Sequence, residues 1–403
     1  MSKRLQYEKL DPYVFVTKLA GFEHTKHIQG VATHQPEADT DIPMVQGKNI
    51  RNGFFVQEHE WFISKDVSDA LPRSVLDKPC ILIPYVGSNL GEVGIFPNDY
   101  RCHLASNIAK VELISEKYIL EYLKYYLQSD IGQGYLFQSK QGSAQPNITM
   151  ESIRNTLIIE RSQPEQQKIC DVLSAVDQKF LLNQNICAEL ESMAKTLYEY
   201  WFTQFDFPNE EGKPYSSSGG AMEWNEQLKH KIPKGWQATT MSALTTVVTG
   251  KEDANFSSPN GQFKFFTCAQ VTILCDTPAF SGHAILIAGN GDFNVKHYTG
   301  QFNAYQRTYV LIPNDDKYYA IMYIAAQQRI QAFKQGSNGS IVKFITKGDV
   351  ENIPLLIPED DSLLEPLNKI LERIEHCEQE IDELTKLRDW LLPMLMNGQA
   401  TVE

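Results

Sequence analysis

The chain has 403 residues, of which 42% are apolar and 22% charged, so it is long enough for two or more domains of ordinary size and is neither disordered nor fibrous. Its formal net charge of −13 argues, as a sum, against a nucleic-acid partner, and the distribution of that charge has to decide. No apolar run approaches the roughly twenty residues that span a bilayer, and the opening MSKRLQYEKLDPYVF lacks a signal-peptide core, so a cytoplasmic protein without a membrane partner is expected.

Residues 1–160 read as a first α/β domain. CILIPYV at 80–86 and SNIAKVELI at 106–114 are strand candidates, and KYILEYLKYYLQ, ending at Gln128, has the period of a short amphipathic helix. Residues 161–205 then carry a long helix. From Pro164 its apolar side chains fall at Ile169, Leu173, Val176, Phe180, Cys187, Leu190, Ala194, Leu197 and Trp201, the 3.5-residue repeat of a coiled-coil seam. At ~1.5 Å per residue the stretch to Thr203 would be roughly 58 Å long.

Residues 206–358 hold a Pro-, Gly- and Ser-punctuated linker and a second α/β domain, in which the order of the first returns. HAILIAGNG at 283–291 answers CILIPYVGSN, AYQRTYVLI at 304–312 answers SNIAKVELI, and YYAIMYIAAQQ at 318–328 answers the short helix. Gln335-Gly336-Ser337 answers Gln141-Gly142-Ser143, and ENIPLLIP at 351–358 answers IRNTLIIE. The offsets, about half the chain, describe an internal duplication of domain plus long helix.

Residues 359–403 supply the second helix, with Leu367, Ile370, Ile374, Cys377, Ile381, Leu384, Leu391 and Leu395 on the same beat. The chain thus carries the partner its first seam needs, and the polar seam residues Asn183 and Arg388 are candidates for fixing register. Residues 362–397 hold 4 Lys plus Arg against 8 Asp plus Glu, a balance of −4, whereas residues 232–357 hold 10 against 8, a balance of +2. The acidity lies on the helices and leaves the globular parts free to carry basic faces. The seven cysteines are scattered without a CxxC pair and the nine histidines do not cluster with them, so neither a disulfide framework nor a metal site is expected.

This organisation resembles the specificity subunit of type I restriction-modification enzymes. The phrases that carry the likeness are IPKGW at 232–236, QGSAQPNIT at 141–149, and ILIAGNGDFNVKHY with FNAYQRTYV. The resemblance implies a mixed α/β fold: two target-recognition domains in direct repeat, separated by two long antiparallel coiled-coil helices. It further implies a non-catalytic chain that reads a two-part target in double-stranded DNA and holds two methyltransferase subunits and, in the full enzyme, restriction subunits. S-adenosylmethionine would then sit on the methyltransferase subunits, and ATP and Mg on the restriction subunits, with no cofactor on this chain.

Its motifs agree. Asp11-Pro12-Tyr13 lacks the second proline of an amino-methyltransferase loop, Gly289-Asn290-Gly291 lacks the longer glycine pattern of a methyl-donor site, and no GxxxxGK[ST] loop occurs. Two other readings stay open, a coiled-coil interaction scaffold with no DNA role and a self-sufficient DNA methyltransferase or nuclease.

For DNA reading, Arg and Lys suit guanine edges, and Asn and Gln suit adenine edges. In the first domain Gln46, Lys48, Asn49, Arg51 and Asn52 lie close together, and Gln141, Ser143 and Gln145 form a second loop. In the second domain the candidates are Asn290, Asn294, Lys296 and His297, then Tyr305, Gln306 and Arg307, and finally Ser337 and Asn338. Solvated turns give the same composition, and Arg307 could instead bridge to Asp276 or Asp292. The aromatic helix end with Tyr198, Tyr200, Trp201, Phe202, Phe205 and Phe207, together with Trp390, exceeds what one seam needs and reads as a subunit-docking surface or as packing on the chain's own domains.

Overall fold

The computed structural model describes residues 6–97, 99–138, 147–335, 344–400 and 402. They fall into two compact units: residues up to Lys179 together with those from Glu383 onward, and Phe180–Asp382.

In the first unit Cys80–Pro84 is buried at all five positions, as a strand covered on both faces must be. It pairs antiparallel with Ile108–Leu113 and with Gly94–Phe96, and Val14–Lys18 adds an edge beside Ile108–Leu113. A second four-stranded sheet runs Phe62–Ile63, Ile42–Val45, Cys102–Leu104, Val75–Leu76, and its central pair is parallel. The two sheets part between Phe96 and Cys102, where Pro97 has no N–H to continue a ladder. The helix Leu120–Gln128 lays Tyr122, Leu123, Tyr126 and Leu127 into the core.

The second unit repeats this plan as one six-stranded sheet, in the order Val248–Thr249, Thr308–Leu311, Phe280–Ala288, Val295–Ala304, Phe263–Phe266, Ile273–Cys275. Here Val295–Ala304 runs ten residues without a proline, so the pieces that are separate in the first unit stay joined. Residue pairing fixes the correspondence. Ile108 faces Pro84 as Thr308 faces Ala288, and the parallel partners Val45 and Leu104 recur as Phe266 and Ala304. Tyr7–Lys9 pairs with Leu157–Ile159 as Gln237–Thr240 pairs with Pro354–Ile357, so the first repeat opens on a strand that no IPKGW phrase announces.

The long helices span Gln163–Tyr198, continued by one π-helical turn to Thr203, and Glu365–Met396. Their antiparallel pairing shows within each unit. In the first, Ile169 and Leu173 share a core with Leu392, Leu395 and Met396, and Arg161 donates to the Leu395 carbonyl at 2.8 Å, satisfying an otherwise open helix end. In the second, Asn183 donates to Glu380 at 2.8 Å, and Ala194 shares a core with Leu367 and Leu371.

Each repeat ties a helix to its domain through one buried carboxylate. Asp177, 6% exposed, accepts from Lys124 at 2.8 Å and Tyr125 at 2.7 Å, with Arg388 at 4.0 Å. Glu375, 198 residues later (375 − 177), accepts from Tyr319 and Thr299, both at 2.7 Å, and faces His297 at 3.4 Å. Burial opposes ionisation of Glu375, but the bonds from His297, Tyr319 and Thr299 win and hold its carboxyl below the usual range. A depressed folded-state pKa stabilises above the unfolded value and is lost as pH falls through the folded one. Unfolding midpoints measured from pH 7 down to about 3 should therefore fall less steeply for Glu375→Gln than for the parent chain, and parallel profiles would refute this role.

Among the described residues no helix is long and apolar enough to cross a membrane, and all seven cysteines are free thiols.

Candidate nucleic-acid interface

The polar run 46–52 of the first unit is mostly scaffold. Asn49 is 1% exposed; its amide donates to the carbonyls of Val56 and Glu58 at 2.9 and 2.8 Å, and its Oδ1 accepts from the Gln46 N–H. The expectation that Asn49 faces DNA is corrected by this burial. Lys48 is paired with Glu60, and Arg51 with Glu58 at 2.8 Å, so the two cations are locally balanced. Asn52 (φ 54°) and Gly53 (φ 83°) make the two-residue turn of a short hairpin, which needs positive φ at both positions, and the Asn52 carbonyl accepts from Arg388. Arg51 and Asn52 are exposed, and the half-buried Gln46 lines a recess of about 260 Å³ together with His24, Gln29, Trp61 and Ser106.

In the second unit three more candidates turn inward. The Asn294 amide donates to the carbonyls of Cys268 and Asp292 at 2.9 and 2.7 Å. Lys296 donates to the carbonyls of Thr267 and Ala269, and burial lowers its pKa. His297, 8% exposed, lies between Glu375 and Glu378, edge-on to Tyr323. Asn294 and His297 are thus structural: one fixes a loop and the other joins sheet to helix. Asn290 is half-buried and bridges to Phe344. Gln141, Ser143, Gln145, Ser337 and Asn338 lie outside the described residues.

Tyr305, Gln306 and Arg307 are different. They form the turn between Val295–Ala304 and Thr308–Leu311, with Gln306 and Arg307 exposed. Asp292, a suggested structural partner, is taken by Lys334 and Gln270, and among the described residues no ion pair engages Arg307. Three neighbouring segments hold the turn's backbone. Tyr305 N–H donates to Phe266, Gln306 N–H to Glu252, and Gly289 N–H to Arg307 at 2.9 Å, while Gly250 N–H reaches Thr308. Glycine is required on both flanks: a Cβ on Gly250 would overlap the Ala304 carbonyl, and one on Gly289 would stand 2.6 Å from the Arg307 oxygen.

The same frame recurs in the first unit around Ala105, Ser106 and Asn107. Ala105 N–H donates to Val45 as Tyr305 does to Phe266, Tyr85 N–H to Asn107 as Gly289 does to Arg307, and Ile148 N–H to Tyr85 as Ile345 does to Gly289. Ser106 is exposed, and Lys18 lies 4.5 Å from the centre of the adjoining Tyr85 ring. None of these residues stands out by composition. Laying SNIAKVELI against AYQRTYVLI end to end sets Asn107 opposite Tyr305, two positions from the Arg307 that the strand pairing gives it.

A protein-family model described as the type I restriction modification DNA specificity domain matches the chain twice, over residues 30–192 and 233–386. The chain belongs to this family. It is 36% identical over 180 residues to the EcoDI specificity subunit of Escherichia coli, a stretch that is 43% of this chain and 40% of that subunit's length. It is 24% identical over 397 residues to the MjaIX specificity subunit of Methanocaldococcus jannaschii, covering 90% of this chain and 88% of the relative. The crystal structure of the S subunit of a type I restriction-modification system from M. genitalium shares the fold, with a TM-score of 0.57 at 16% identity over 98% of this chain and 96% of that one.

In this specificity-family chain the aromatic helix end is mainly internal. Tyr198 and Phe202 are buried and stacked at 5.1 Å, and Phe202, Phe205 and Phe207 close around Trp236 of the IPKGW phrase, so the docking assignment of Tyr198 and Phe202 is corrected to packing on the chain's own second domain. Trp201 instead lines an open apolar groove of about 360 Å³ with Met193, Leu197, Tyr200 and Ile370, and Trp390 is 60% exposed.

Proposed function

We propose that the chain is the non-catalytic DNA-reading subunit of a type I restriction-modification complex, in which each repeat reads one part of a bipartite, asymmetric target. The observation that carries this reading is the duplicated frame: two units of one plan, both within family matches, each presenting an equivalent turn whose side chains differ. Different side chains on one frame read different bases, hence the asymmetry. The paired helices set the gap between the half-sites.

Two methyltransferase subunits dock on the helices, for which the Trp201 groove and the exposed Trp390 offer apolar anchors of the kind that dominate interfaces. They bring S-adenosylmethionine, and restriction subunits, where present, bring ATP and Mg; the assembly works in the cytoplasm. The test is footprinting of the complex reconstituted with its methyltransferase subunits, which should protect a two-part site, while the chain alone transfers no labelled methyl group. Failure to protect any two-part site would favour a protein scaffold, and methyl transfer by the isolated chain would favour an enzyme.

A further inference from the structure

A base-reading side chain has two physical requirements. Its backbone must be fixed to within a fraction of an ångström, and its donors must be unspent in the free protein. Among the candidates these demands usually conflict. Asn49, Asn294, Lys296 and His297 are well fixed because their polar atoms are consumed internally, and Lys48 and Arg51 are held by neighbouring carboxylates.

The turn Tyr305–Arg307 meets both. Its backbone is bonded to Phe266, Glu252 and Gly289, the Cys268 thiol also reaches the Arg307 carbonyl at 3.4 Å, and two glycines let neighbouring chain approach where any Cβ would collide. Yet Gln306 and Arg307 are exposed, and no hydrogen bond or ion pair of either side chain occurs among the described residues. In the first unit the equivalent positions are Ser106, which is exposed, and Asn107, whose Oδ1 accepts from Gly47 at 3.1 Å. That bond orients the amide and leaves its N–H₂ without a hydrogen bond among the described residues.

We infer that this three-residue turn is the specificity-determining element of each repeat, with Gln306 and Arg307 reading the half-site of the second unit and Ser106 and Asn107 that of the first. The inference rests on the DNA-reading function proposed above and adds which residues decide the sequence. Arg307 has the fork that matches the O6 and N7 of guanine, and Gln306 and Asn107 have amides suited to adenine, so the second half-site carries a guanine at the position Arg307 meets. Gly250 and Gly289 act as positioning residues for the turn.

The experiment maps the methylated motif of a host carrying the full chain with its methyltransferase subunits, for the parent, Arg307→Ala, Arg307→Lys, and the triple change Tyr305→Ala, Gln306→Ser, Arg307→Asn. Thermal midpoints should be unchanged for the Arg307 variants, since that side chain has no internal ion pair to lose. Arg307→Ala should relax one base of one half-site, with discrimination falling roughly tenfold to a hundredfold. Arg307→Lys keeps the charge but not the fork, so it should retain affinity while losing that discrimination. The triple change should alter one half-site and leave the other half and the gap as they were. An unchanged motif, or an equal loss on all sequences with a shallower salt dependence, would overturn the inference, the latter marking Arg307 as a phosphate contact. A parent chain that imposes no two-part motif would overturn the proposed function as well, which separates the two failures.

Discussion

Replacing Asp177 with alanine is expected to destabilise the first unit by about 3–5 kcal/mol, the cost of leaving a buried charge without its partner. Lys124 is 7% exposed and donates to Asp177, with the Tyr125 hydroxyl bonded to the same carboxylate oxygen. Burial drags the lysine below its usual pKa and Asp177 pulls back, so removing the carboxylate takes away the main opposition to that burial. The measurement is denaturant unfolding, read as a lower midpoint with little change of slope. A control separates the charge from the cavity: Asp177→Leu combined with Lys124→Met removes both charges and should recover most of the loss. A single change costing under about 1 kcal/mol would show that water reaches this pair.

Removing one heptad from each long helix, centred on Asn183 and on Glu380, should shorten the gap of the methylated motif by about three base pairs, because seven residues rise ~10 Å and DNA rises ~3.4 Å per pair. Asn183 and Glu380 bond to each other, so the excisions match across the seam, and Asp177 and Glu375 keep their places. The bases read in either half should not change. An unaltered gap in a folded, methylating complex would remove the spacer role from the helices.

Much of the fold was legible because it rests on long-range periodicity. The heptads announced two long helices, Gln163–Tyr198 and Glu365–Met396, and buried runs such as Cys80–Pro84 announced the central strands. The repeat was legible because order survives where identity does not. The site was less so. Asn49 and Asn294 look in sequence like residues of polar loops, and only the folded chain shows carbonyls closing around their amides. His297 cannot be told from a surface histidine until Glu375, 78 residues away, is placed beside it. The first unit's turn at Ala105–Asn107 is compositionally plain, and only the strand register matches Asn107 to Arg307. The aromatic helix end misled for a related reason, since Trp236, which covers Phe202, belongs to a different segment.

The bond between Asn183 and Glu380 crosses the helix seam with an amide on one helix and an acid on the other. Were two copies of the second helix to meet at this position, the contact would become glutamate against glutamate, two carboxylates facing each other across the seam. The cost of such a like-charge pairing falls on association between chains and is absent within one. An amide facing an acid thus favours pairing of the two helices within one chain over pairing of two copies of the second helix.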